Sequence, residues 1–306
     1  MPWPLNHYSA HRGACAAMTP MTSTAHEPDG RRLARERLAR RAAPFIWQEA
    51  ARRLAERLPL LRLQPTLALD VGCAWGDGLA LLRAQYPRAQ LIGIEPAAAL
   101  AAHARRSHVP ARLLQAWRGR AEVREAALHA PPRDGAQMLW SNLALPWADD
   151  LGALLGGWNA ALQPDGVLMF TSFGPDTLRE LRVPAVRALG VVPPDFVDMH
   201  DLGDLLLAQG FAEPVMDMEM VTLRYPDARA ALAELAELGR VPHAAAAPGL
   251  RTPRRWRELQ QALGAGPVEL SFELIYGHAY KPSTRGAVDG VATFPIEQLR
   301  GSRARR

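Results

Sequence analysis

The chain has 306 residues, enough for one large α/β domain with additions or for two small domains. Hydrophobic residues make up 48% and charged residues 22%, which excludes a fibrous or wholly disordered protein, and no apolar run approaches the roughly 18 residues of a membrane-spanning helix. The formal net charge is +5, yet no aromatic-and-basic recognition motif accompanies it, so neither nucleic acid nor membrane is an expected partner.

Residues 1–30 lack apolar periodicity and lack the basic flank and apolar block of a secretory signal, so they read as a disordered leader. Two cysteines, Cys15 in that leader and Cys73 in a glycine loop, give no disulfide framework and point to a reducing, cytoplasmic setting. Residues 31–60 carry apolar groups at helical spacing, and Pro44 divides them into two helices. An alternation of short apolar strands and helices follows: strand 66–71, helix 77–86, strand 91–95, helix 96–106, a weaker strand at 111–115, strand 136–141, helix 149–162, a PDG turn at 164–166 and strand 167–173. Strands and helices alternating in this way predict right-handed crossovers and a doubly wound, Rossmann-like parallel sheet. Beyond Gly174 the spacing predicts helices over 176–189 and 198–209, a strand at 214–223, helices at 227–239 and 252–264, and a last strand at 268–280. These late strands are expected to add an antiparallel edge pair, giving a seven-stranded, mostly parallel sheet. One domain is expected over 31–282, with N-terminal helices (31–60), a cofactor half (66–174) and a substrate or cap half (175–282). A flexible tail follows at 283–306, and a monomer is expected.

The strongest local signal is DVGCAWGDG, Asp70 to Gly78, where the first strand turns into the first helix of the alternation. Gly72 and Gly76 permit a tight turn and close approach of a ligand to the backbone, and the helix N-terminus offers unpaired N–H groups. Glu95 ends the next strand, where a carboxylate can accept both hydroxyls of a ribose. The glycines at 72, 76 and 78 do not fit the dinucleotide pattern G-x-G-x-x-G. As strand-end and turn residues, Asp70, Gly72, Cys73, Ala74, Gly76, Glu95 and Pro96 also have a purely structural reading, in which they cap and join elements.

The loop resembles the D-x-G-x-G-x-G loop of class I S-adenosylmethionine-dependent methyltransferases, with Ala74 where that family has glycine. Four further blocks, LWSNLALPW (139–147), LMFTSFGPDTLRELR (168–182), FVDMHDLGDLLLAQGF (196–211) and LSFELIYGHAYKP (270–282), resemble the malonyl-acyl carrier protein O-methyltransferases of biotin synthesis. The chain departs from that family in having no tyrosine in RRAAPFIWQE (40–49) and a short stretch between Arg182 and Phe196. The resemblance implies S-adenosylmethionine as cofactor, held by Asp70, Gly72, Cys73, Ala74, Gly76, Glu95, Pro96 and Asn142. It also implies a malonyl thioester of acyl carrier protein or coenzyme A as substrate. No acid near Gln115 and Trp117 matches the adenine contact of relatives.

In such sheets the loop after the fourth strand faces the methyl group, which makes Asn142 and Trp147 the candidates for shaping the acceptor site. His200, Tyr276 and His278 are candidates for a malonyl carboxylate, and the arginines of 31–57 or 251–257 for steering an acidic carrier protein. No Ser/His/Asp set and no HExxH or CxxC pair occurs, so no metal is expected; an ionised carboxylate acceptor needs none of them. Three alternatives stay open: an arginine hydroxylase on a methyltransferase fold, which shares the FG-x-DTL-x-ELR and DLG-x-LL-x-x-GF patterns, a small-molecule methyltransferase of another substrate, and a non-catalytic binding module.

Overall fold

The computed structural model describes residues 42–108, 120–189, 196–237, 253–283, 287–288 and 291–292. The predicted leader, most of the tail, the strand at 111–115 and Trp117 lie outside the described residues. The chain enters its first described helix, α1 (Phe45–Ala55), directly after Pro44, whose fixed φ suits the position before a first turn. A single turn of 3₁₀ helix (Leu58–Leu60) then leads to the sheet.

Five strands run parallel: β1 (Leu67–Val71), β2 (Gln90–Ile94), β3 (Ala121–Arg124), β4 (Ala136–Ser141) and β5 (Leu162–Phe173). Helices α2 (Asp77–Gln85), α3 (Ala98–His108) and α4 (Leu151–Ala161) connect them. β1, β2 and β4 are short and almost wholly buried, as strands covered on both faces must be. The third described strand of the sheet is AEVR at 121–124, which its sequence does not announce; its alternation of buried and half-buried residues marks a sheet edge. The Asp150 carboxylate starts α4 by accepting from the Ala153 N–H at 2.9 Å.

After β5 come α5 (Arg182–Leu189), α6 (Met199–Ala208), β6 (Ala212–Tyr225), α7 (Ala228–Glu237), α8 (Pro253–Ala262) and β7 (Val268–Tyr280). The strand order is β3-β2-β1-β4-β5-β7-β6. β7 is antiparallel to both neighbours, so β6 lies outermost and β7 is the one reversed strand. Two dipeptide strands, β8 (Ala287–Val288) and β9 (Val291–Ala292), pair separately.

Two expectations change. The PDG segment lies within β5 instead of ahead of it: Asp165 takes a left-handed φ of +63°, and its N–H donates to the Lys281 carbonyl at 2.8 Å. The end of β7 thus clamps what sequence presents as a free turn. The helix expected over 176–189 is a strap (174–178) and a 3₁₀ turn (Arg179–Leu181) before α5 begins. The strap is fixed by β7. The Asp176 N–H donates to Glu273 Oε2 at 2.6 Å, the Thr177 hydroxyl and the Glu273 backbone bond each other at 3.1 Å, and the Ser271 N–H donates to Glu180 Oε2 at 3.1 Å.

Register places the site. Asp70, Trp140, Met169 and His278 lie level across β1, β4, β5 and β7, and the C-terminal ends of the parallel strands form one edge. β6 and β7 run past Phe173 beyond that edge, and the segment carrying α7 and α8 joins their far ends, Tyr225 and Val268. α8 packs against α5 as well as α7. The three helices therefore stand over the edge where an open α/β sheet binds its ligands.

Candidate active site at the carboxyl edge of the sheet

Between Val71 and Asp77 the chain must reverse from strand to helix in five residues. Gly72, Ala74 and Gly76 have φ of +77°, +46° and +95°. The Gly72 and Cys73 N–H groups both donate to the Ile94 carbonyl, at 2.8 and 3.1 Å, which draws the loop across the end of β2. A Cβ at Gly72 would lie 2.6 Å from that of Ala144, so glycine is demanded there by contact as well as by conformation. Cys73 is buried and free of disulfide, with its sulfur against Gly93.

Glu95 is fully buried at the end of β2. Its Oε2 accepts from the Ala74 N–H at 3.0 Å and its Oε1 from the Ala97 N–H at 3.1 Å, so one carboxylate joins the loop to the start of α3. Pro96, half-buried, carries the chain between those contacts. Asp70 is 1% exposed, and its Oδ2 has no hydrogen-bond partner among the described residues; neither has Trp140 Nε1. Both atoms face Gly78, where a Cβ would lie 2.5 and 2.7 Å from them. Burial, reinforced by the charges of Asp77 and Glu95, pushes the Asp70 carboxyl well above the ordinary carboxylate range. His108, at the end of α3, packs its ring over Gly76, and burial lowers its pKa against the opposing pull of Asp77.

Asn142 follows β4 and is 6% exposed. Its Nδ2 donates to the Trp47 carbonyl at 3.0 Å, and its Oδ1 accepts from the Thr171 hydroxyl at 2.7 Å. The Thr171 oxygen in turn accepts from the Leu143 N–H at 2.9 Å. Asn142 therefore fastens α1 and β5 to the end of β4. Trp147, 4% exposed, ends a 3₁₀ turn (Leu145–Trp147) and packs in the core. Trp47 on α1 meets Trp75 of the glycine loop edge-on, with ring centroids 5.6 Å apart.

The structure thus gathers Asp70, Gly72, Cys73, Ala74, Gly76, Glu95 and Asn142 around one edge. Tyr276 is buried beneath Arg57, whose guanidinium carbon lies 3.9 Å from the ring centre. His278 lies two residues further along the same face of β7, while His200 is exposed at the start of α6. Sequence reasoning passes over Trp47 and Thr171, which bear no motif. It also passes over Glu273, whose signal is an acid inside the apolar run LSFELIYG.

A family profile described as a methyltransferase domain matches residues 69–168, which span β1 to β5. Solved structures share the fold. A Bacillus halodurans protein described as a methyltransferase superposes with a TM-score of 0.54 at 11% identity, covering 75% of this chain and 99% of that one. The malonyl-[acyl-carrier protein] O-methyltransferase of Laribacter hongkongensis is 36% identical over 254 residues, which cover 79% of this chain and 85% of the relative. That of Gallionella capsiferriformans is 37% identical over 265 residues, covering 82% and 89%. The arginine-hydroxylase and binding-module alternatives gain no such support, and the glycine loop, its Glu95 partner and the strap all fall within a chain that belongs to the malonyl-[acyl-carrier protein] O-methyltransferase family.

Proposed function

We propose that this enzyme uses S-adenosylmethionine to methylate the free carboxylate of a malonyl thioester carried by acyl carrier protein, or by coenzyme A, in the synthesis of a biotin precursor. The observation that carries the reading is the match along most of both chains to malonyl-[acyl-carrier protein] O-methyltransferases. The site fits the cofactor in its chemistry: a left-handed glycine loop, a buried acid at the end of β2, and an orphaned carboxyl oxygen on Asp70 beside a helix N-terminus. In this proposal the backbone of Gly72, Cys73, Ala74 and Gly76 receives the amino-acid portion, Asp70 braces the turn, and Glu95 with Pro96 meets the ribose. Bound there, the cofactor supplies an electrophilic methyl group.

The protein's share is alignment and exclusion of water. Asn142 and Trp147 set the wall after β4, Asn142 through its hold on Trp47 and Thr171. The acceptor is an anion at neutral pH, so no side chain has to remove a proton, and orientation with desolvation accounts for the rate. The test is purified protein with labelled cofactor and malonyl carrier protein, assayed for a base-labile methyl ester from about pH 6 to 8. A nearly flat rate is expected; a limb near the histidine value of about 6.5 would require a general base, and label on an amine or hydroxyl would reject the substrate.

A further inference from the structure

Arginine-rich helices lie in two regions of the molecule, and the two regions treat their charge differently. On α1 and the turn that follows it, Arg52 pairs with Glu49 and Glu56, Arg53 with Glu49 and Glu219, and Arg57 with Asp217 at 2.6 Å. Every one of those guanidinium groups already meets a fixed carboxylate. On α5 and α8, which pack against each other, Arg182, Arg187 and Arg257 are exposed and form no ion pair among the described residues. Arg254 is 86% exposed, and among the described residues its ion-pair partner is Glu258 on its own helix at 3.0 Å. Both helices stand on the segments that lead off the far ends of β5, β6 and β7, at the same carboxyl edge of the sheet that carries the glycine loop after β1.

We infer that the exposed arginine face of α5 and α8 docks the acidic carrier protein that brings the malonyl group, an inference that rests on the carrier-borne substrate proposed above. A surplus of surface charge of one sign, here four arginines against the single acid Glu258, stabilises nothing in the fold, but it attracts an oppositely charged macromolecule and raises the rate of encounter by about 10-fold to 1,000-fold. The position is suited to the task, because a substrate tethered to a carrier by a flexible arm must be delivered from a surface beside the mouth of the site. α1 with the turn after it, its charge already neutralised by Glu49, Glu56, Asp217 and Glu219, offers no comparable field. The arginines of 42–57 thus belong to folding and those of the cap to recognition.

The experiment compares the parent enzyme with R182E/R187E/R254E/R257E and with the neutral version, R182Q/R187Q/R254Q/R257Q. Each is assayed on malonyl carrier protein and on malonyl-N-acetylcysteamine, which has no carrier. kcat/KM for the carrier substrate should fall at least about tenfold in the glutamate variant and less in the glutamine variant. Turnover of the small thioester and the thermal midpoint should stay unchanged. Undiminished turnover of the carrier substrate, or an equal loss on both substrates, overturns the docking face. If the parent methylates neither substrate, the proposed reaction fails, and fluorescence anisotropy with labelled malonyl carrier protein decides the surface separately. Salt-sensitive binding lost in the glutamate variant then supports it, and binding that is absent or indifferent to the four arginines overturns it.

Discussion

Around β1 and β2 the ionisable groups are acids turned inward, whereas on α5 and α8 they are bases turned outward. Asp70 and Glu95 lie within the core, and Arg182, Arg187, Arg254 and Arg257 lie in water. The two placements differ in cost. A carboxylate taken out of water costs several kcal/mol unless donors surround it. Glu95 is tolerated because two backbone N–H groups face it, and Asp70, with an oxygen unpartnered, answers burial with a carboxyl pKa driven well upward. An exposed guanidinium carries no such penalty and contributes little to stability. Inward acids therefore stand where they shape the site, and outward charge stands where the carrier protein is proposed to dock. α1 and the turn after it stand between them: Arg53 and Arg57 lie half-buried against Glu219 and Asp217 of β6, and exposed Arg52 pairs with acids of its own helix.

The largest effect is expected where the inward acid does most. Glu95→Ala removes a charged acceptor from the Ala74 and Ala97 N–H groups, and should lower cofactor affinity by about 1–3 kcal/mol by calorimetry, with a comparable loss of stability. Glu95→Gln keeps one acceptor oxygen and should recover most of the stability but not the affinity. Equal affinity in a folded Glu95→Ala protein would remove Glu95 from the cofactor site.

Next comes the latch that joins the two halves. Asn142→Ala strands the Trp47 carbonyl and the Thr171 hydroxyl, at a cost of about 2 kcal/mol in denaturant melts. Thr171→Ser should cost less than half of that, since the hydroxyl that bonds Asn142 and Leu143 remains. If Asn142→Ala were silent in stability yet abolished turnover, Asn142 would touch substrate directly, and its bonds to Trp47 and Thr171 would be incidental.

Asp70 tests the inward charge by pH. Its folded pKa lies above the ordinary 3.8, so between those values the folded chain keeps a proton that the unfolded chain releases, and folding is increasingly penalised as pH rises through the window. Asp70→Asn removes the penalty. The variant should gain stability over the parent as pH rises from about 4, measured by urea melts at successive pH values. A difference that does not vary with pH would mean that Asp70 is ionised in the folded protein.

Much of this was legible in the chain. Four parallel strands and the reversed β7 announced themselves by apolar runs, because buried strands leave no freedom in composition. The third strand was not legible, since AEVR at an edge needs only alternating burial and carries half its residues as charges. The loop residues and Glu95 were readable because backbone geometry limits what can stand there. Trp47, Thr171 and Glu273 were not, because each acts through contacts between elements separated by about a hundred residues or by a strand pairing. The arginine runs were readable as charge, but only the structure distinguishes the run answered by acids of another strand from the run left to solvent.

The smallest effect is expected at Ala74, where the inward side departs from the glycine of the D-x-G-x-G-x-G loop that it resembles. An L-residue in the left-handed region costs about 1–2 kcal/mol, and Ala74, at φ +46°, bears that cost. Ala74→Gly relieves it, but frees the unfolded chain by about 0.4–1 kcal/mol and gives up the burial of a methyl group, about 0.8 kcal/mol. These contributions nearly cancel, so the thermal midpoint should correspond to a change of no more than about 1 kcal/mol. The Ala74 N–H bond to Glu95 does not depend on the side chain and should survive. Cofactor affinity is then the sensitive readout, and it should rise, because glycine lets the backbone of the loop proposed to receive the cofactor adjust to its ligand. A stability gain well beyond 1 kcal/mol would show that the loop is strained for its own sake. A fall in affinity would mean that the alanine methyl packs against the cofactor, making the departure from glycine part of this enzyme's site.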